Sequence, residues 1–219
     1  MQAGQGRGVI GPNAVLQLVP LLDRAGGADW RHRLIKGAGL DALPDGSGMI
    51  PEAPVARLHQ VLRRDRPDLA AGLGWQAGLA TGDYILAHRI PRAAQGLLKA
   101  LPRKLSARLL SQAIARNAWT FAGSGQFVVI SPLVFDLRAN PLVRGEVADH
   151  PICDWHRGVF TRLYQRLVHP SLTCAEARCC AMGHTACRFE MHHDASRYTA
   201  FRADPLTSKR GRGVSRPTD

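Results

Sequence analysis

From residue 12 to residue 118, apolar residues recur mainly at intervals of three and four, the period of amphipathic helices. A first helix is predicted from Gly11-Pro12-Asn13, with Pro12 suited to the opening turn and Val15, Leu18, Val19 and Leu22 as its stripe. Gly26-Gly27 should stop it, and a short second helix is expected over 30–36. Val55, Leu58, Val61 and Leu62 mark a third, ended by Asp65-Arg66-Pro67. The next helical pattern, over 68–87, contains Gly72, Gly74, Gly78 and Gly82. Each interior glycine costs a helix about 1 kcal/mol, so these positions suggest close approach by another element or a ligand. Two further helices fit 92–101 and 105–118.

The period then changes. Residues 119–121 and 126–130 flank Gly123-Ser124-Gly125 and read as a hairpin, with another strand over 134–137. Residues 153–168 return to helical spacing through Val159, Phe160, Leu163, Tyr164 and Leu167. A second hairpin is expected from 172–179 and 186–191, around Met182-Gly183-His184. The class this describes is α+β: a helical N-terminal half packed on an antiparallel sheet, crossed by one late helix. The expected organisation is a flexible N-terminus over 1–11, a single domain over 12–202, and a disordered basic tail over 203–219.

With 219 residues, 45% of them hydrophobic, the chain can bury one sizeable core. It has no apolar run long enough to span a bilayer and opens without the apolar stretch of a signal peptide, so a cytoplasmic protein is expected. The formal net charge is +12, unevenly spread. No Asp or Glu occurs over 84–135, where Arg89, Arg92, Lys99, Arg103, Lys104, Arg108 and Arg116 all fall. Such a field would attract nucleic acid, an anionic membrane, an acidic partner or a ligand carboxylate, or would simply be a solvated surface. No zinc-finger helix or RNA-binding aromatic signature favours nucleic acid.

Candidate chemistry concentrates in CAEARCCAMGHTACRFE, residues 174–190, which holds Cys174, Cys179, Cys180 and Cys187 of the five cysteines. A hairpin centred on Gly183 sets Cys179 opposite Cys187 and Glu176 opposite Glu190. Cross-strand Cβ atoms about 4.5–5.5 Å apart accommodate two thiolates on one tetrahedral zinc, each about 2.3 Å from the metal. Glu176 could be the third ligand if the strand kinks before Cys179, with His184 as substitute. Cys153, at the head of the late helix, could be the fourth, its thiol pKa lowered by the helix N-terminus. Arg178 and Arg188 would offset the negative charge of such a site. Four protein ligands leave no open position, so the zinc would be structural. Buried core thiols and redox chemistry are the competing readings, while disulfides are not expected in a reducing cytosol. Cys174 and Cys180 fall outside the proposed site.

The pattern Cys153, Glu176-x-x-Cys179 and Gly183-His184-x-x-Cys187-Arg188-Phe189-Glu190 resembles the 4-vinyl-reductase domain family. The resemblance is close over 120–192, the zinc-bearing part, and looser before it. It implies zinc at Cys153, Glu176, Cys179 and Cys187, as in the family's sensor branch. The fold it implies has helices against an antiparallel sheet, related to trafficking-complex subunits and often dimeric. It also implies a part in bacteriochlorophyll biosynthesis, alongside the other enzymes of that pathway.

Vinyl reduction needs a source of hydride or electrons. The chain has no G-x-G-x-x-G between a strand and a helix, no ferredoxin cysteine spacing, and zinc is redox-inert. The expected function is therefore a tetrapyrrole-binding carrier for a vinyl-bearing magnesium-porphyrin precursor. The alternative is the vinyl reductase itself, using an external donor. Trp75, Trp119, Phe121, Phe127 and the cations from Arg89 onward are pocket candidates, with His88 a candidate magnesium ligand. A homodimer and peripheral contact with the photosynthetic membrane are further expectations.

Overall fold

The computed structural model describes residues 8–193. The expected disordered tail over 203–219, and residues 1–7 of the expected flexible N-terminus, lie outside the described residues. Residues 8–11 are not loose, however. β1 (Val9–Ile10) pairs antiparallel with β2 (Ile50–Pro51), and Ile10 is fully buried.

After a short α1 (Asn13–Leu16), the chain runs through α2 (Val19–Gly37), α3 (Glu52–Asp65), α4 (Pro67–His88), α5 (Arg92–Ala100) and α6 (Arg103–Arg116). The break expected at Gly26-Gly27 appears within α2, where Gly27 leaves helical geometry at φ 79°. Pro67 opens α4, since a missing N–H costs nothing in a first turn.

The segment 119–121 is not a strand. Ala118–Thr120 forms a 3-10 turn, and the Thr120 carbonyl accepts from the N–H of Gly11 instead of entering a sheet ladder. The first hairpin is made by β3 (Gln126–Ser131) and β4 (Val134–Arg138), so the segment 134–137 is central to the sheet. α7 (Asp154–Leu167) then leads to β5 (Thr173–Arg178) and β6 (Ala186–His192). The sheet is antiparallel throughout, in the order β3-β4-β6-β5.

α7 holds the two halves together. It buries Trp155, Val159, Phe160, Leu163 and Tyr164, and Phe160 meets Phe121, Phe127, Phe135 and Phe189 in one aromatic cluster. Its other side receives α4. A Cβ on Gly78 would fall 2.1 Å from the Trp155 carbonyl oxygen and 2.9 Å from the Gly158 Cα; one on Gly82 would fall 2.5 Å from the Arg162 Cβ. Gly74, Gly78 and Gly82, four residues apart and so on one helix face, admit a neighbouring backbone rather than a ligand.

Candidate metal centre

β5 and β6 pair with Cys174 opposite Met191 and Glu176 opposite Phe189. Between Glu176 and Arg178 the register shifts, and Arg178 stands opposite Arg188. This bulge corrects the expected pairing of Glu176 with Glu190. It also changes which residues share a face. Residues three apart on a regular strand point to opposite sides, but one extra residue in the ladder restores them to the same side. Glu176 and Cys179 consequently both turn inward, beside Cys187 of β6. Cys180–Met182 then closes the hairpin through Gly183, whose φ of 84° suits glycine.

Cys153 reaches the same point from the N-terminus of α7, where its backbone N–H donates to Glu176 Oε2 at 2.8 Å. The ligand atoms of Cys153, Glu176, Cys179 and Cys187 lie within 4.8 Å of one another, and all four residues are buried. The Cys153 sulfur is 3.5 Å from that of Cys187 and 3.9 Å from that of Cys179. Thiolates about 2.3 Å from a tetrahedral metal would be about 3.8 Å apart, so the spacing fits such a centre. Glu176 Oε1 is buried with no hydrogen-bond partner. An orphaned carboxylate oxygen facing three sulfurs is costly unless a cation is supplied to it.

The protonation pattern supports the same fit. Burial, reinforced by the Cys179 sulfur, pushes the Glu176 carboxyl up to about 8. Burial also pushes the Cys153 thiol well up, so the expected lowering by the helix N-terminus is outweighed by loss of water. Hydrogen bonds from Cys153 and Cys187 draw Cys179 down, toward the thiolate. A divalent cation would reverse the cost of deprotonation for the whole set.

Arg178 and Arg188 do not serve as the charge partners. Arg188 projects to the other face of the sheet and clamps Asp136 with two 2.8 Å hydrogen bonds, while Arg178 is exposed. N–H donors take that place. Asn140 Nδ2 donates to the sulfurs of Cys153 at 3.2 Å and Cys187 at 3.6 Å, and the Cys180 backbone N–H donates to Cys187 at 3.3 Å. Asn140 Oδ1 accepts from the Leu142 N–H and so caps the turn at Pro141–Val143. Sequence reading missed Asn140. Asn before Pro is a capping signal, but its second role depends on where the sulfurs come to lie. Cys174 is buried apart from the cluster and His184 is exposed at the hairpin turn.

The pocket candidates do not converge. Phe121 and Phe127 belong to the aromatic core, Trp75 lies under the Arg157 guanidinium, and His88 is exposed against Tyr84. A crevice beside the cysteine cluster, lined by His59, Arg63, Gly74, Asp154, Trp155 and His156 among others, has room for about one water.

An antiparallel sheet and a helix joined by a buried cysteine–glutamate cluster define the class of domain. Residues 133–193 match the 4-vinyl-reductase domain family. The chain is 52% identical over 184 residues to the "Bacteriochlorophyll synthase 23 kDa chain" of Cereibacter sphaeroides, covering 83% of this chain and 89% of that one. It is 48% identical over 185 residues to the protein of the same name from Rhodobacter capsulatus, covering 84% and 86%. The chain belongs to the family of these 23 kDa chains, and the resemblance read from its cysteine spacing is borne out. Among solved structures, an Fe(II) unliganded H-NOX protein mutant from K. algicida shares the fold, with a TM-score of 0.52 and 12% identity, covering 84% of this chain and 96% of that one.

Proposed function

We propose that this protein acts in bacteriochlorophyll biosynthesis as a non-catalytic carrier, holding a vinyl-bearing magnesium-tetrapyrrole precursor for the enzyme that reduces it. The observation that carries the pathway assignment is the identity to the two 23 kDa chains over more than four-fifths of the sequence. The carrier role rests on the centre. Zinc held by Cys153, Glu176, Cys179 and Cys187 would have its four positions filled by protein, and would supply a structural clip between α7 and the last hairpin. The residues themselves orient and shield the site: Asn140 and Cys180 direct N–H groups at sulfur, and burial excludes water.

The second reading, a vinyl reductase with an external electron donor, is favoured by the family resemblance alone. Titrating the purified protein with magnesium protoporphyrin, then with divinyl protochlorophyllide, tests both. The carrier reading expects saturable absorbance shifts and an unchanged vinyl group when NADPH or reduced ferredoxin is added. Conversion of vinyl to ethyl would establish the reductase, and absence of binding would overturn both.

A further inference from the structure

α5 contains no buried residue, and α6 exposes the side that carries two of its leucines. Ala107, Leu110 and Ile114 of α6 face the core, while Leu105 and Leu109, one turn apart, lie on the opposite side of the helix. Leu105 and Leu109 are 43% and 42% exposed, Leu97 of α5 is 59% exposed, and Trp119, just beyond α6, is 54% exposed. Arg92, Lys99, Lys104 and Arg108 are exposed on the same two helices. Two consecutive helices, in contact with each other, thus offer leucines among cations, within a segment without a single carboxylate.

We propose that the outward face of α5 and α6 docks on an anionic lipid surface. Charge complementarity selects this occupant. A second copy meeting the first through the same face would set these cations against themselves, because a twofold interface repeats one patch on both sides. Lipid headgroups neutralise them, at about 1 kcal/mol per Lys or Arg near the surface. The interface also accepts separate leucines, since acyl chains rearrange around each one. Long Lys and Arg side chains reach past the leucines to the phosphates. This docking is independent of the pigment reading.

The test is sedimentation of the full chain with mixed phosphatidylglycerol–phosphatidylcholine vesicles and with phosphatidylcholine vesicles alone. Binding is expected only to the anionic mixture and should weaken as salt rises. The double variant Leu105→Ser/Leu109→Ser keeps the charge unchanged and should lose about tenfold in affinity. Leu97→Ser should lose less, and Lys104→Glu/Arg108→Glu more. Cations beyond residue 193 are present in every variant and cancel from the comparison. Unchanged melting temperatures establish that the variants fold, as expected for outward-facing positions. Equal binding to neutral vesicles, or undiminished binding by the leucine and charge variants, would overturn the proposal. So would a solution dimer that the same variants dissociate while vesicle binding persists.

Discussion

The sulfurs of Cys153 and Cys187 lie 3.5 Å apart across 34 positions of sequence, joining the first turn of α7 to the last hairpin. Nothing local holds them there. The contact exists because α7 packs on the inner face of the sheet and because the β5 bulge turns Cys179 toward the same point. A metal bridging these elements would add its binding energy to folding.

Protein purified without chelator should carry about one zinc per chain, measured by elemental analysis. Cys179→Ser and Cys187→Ser should each lose the metal and melt well below the wild type, because two thiols and an orphaned carboxylate remain buried. A metal-free wild type with the same melting temperature as the zinc-loaded protein would refute the centre.

Asn140→Ala removes N–H donors from two sulfurs and the cap of the Pro141–Val143 turn. Metal affinity should fall about 10- to 100-fold, as for the loss of other groups that orient metal ligands. Competition with a zinc chelator reads this directly. An affinity equal to that of the wild type would show that the sulfurs do not depend on these bonds.

Gly78→Ala and Gly96→Ala should move stability in opposite directions. The first forces a methyl group against the Trp155 carbonyl and the Gly158 Cα, both backbone, and should cost about 3 kcal/mol or more. Gly96 sits in α5 with open space around its added Cβ, so alanine there should stabilise by about 0.5–1 kcal/mol. Denaturant titration of the two variants side by side measures both shifts.

Acid should weaken the fold partly through His59. Burial, with Arg63 adding to it, lowers His59 from 6.5 to about 3, and its Nε2 lies 3.0 Å from the Ala14 carbonyl oxygen. The unfolded chain therefore takes up the proton first as pH falls. The stability contributed by the neutral ring is complete above the unfolded value of 6.5 and is lost progressively from there down to about 3. His59→Gln should remove about 2 kcal/mol of the loss between pH 7 and pH 5. Equal acid slopes for variant and wild type would show that the ring is not held neutral.

The helical half was legible because its signals are local. The apolar stripes, Pro67 at the start of α4 and the glycines around residue 27 act within a turn or two of themselves. The ligand set was legible for a different reason: cysteines clustered about a glycine turn bring their side chains together whenever the hairpin forms. The segment 119–121 misled because its apolar residues are equally consistent with a strand, and only the distant N–H of Gly11 decides the use of the Thr120 carbonyl.

By itself, the sequence determined the class of fold, the family, and the residues able to bind a metal, since these follow from period, composition and spacing along the chain. Tertiary structure alone decided three other matters. The register shift in β5 put Glu176 and Cys179 on one face, and the fold set Asn140 against two sulfurs. It assigned the glycines of α4 to a helix contact instead of a ligand, because only a packed neighbour reveals what a missing Cβ makes room for. And it left Leu105 and Leu109 outside the core, because which side of a helix is covered depends on what packs against it and not on the stripe itself.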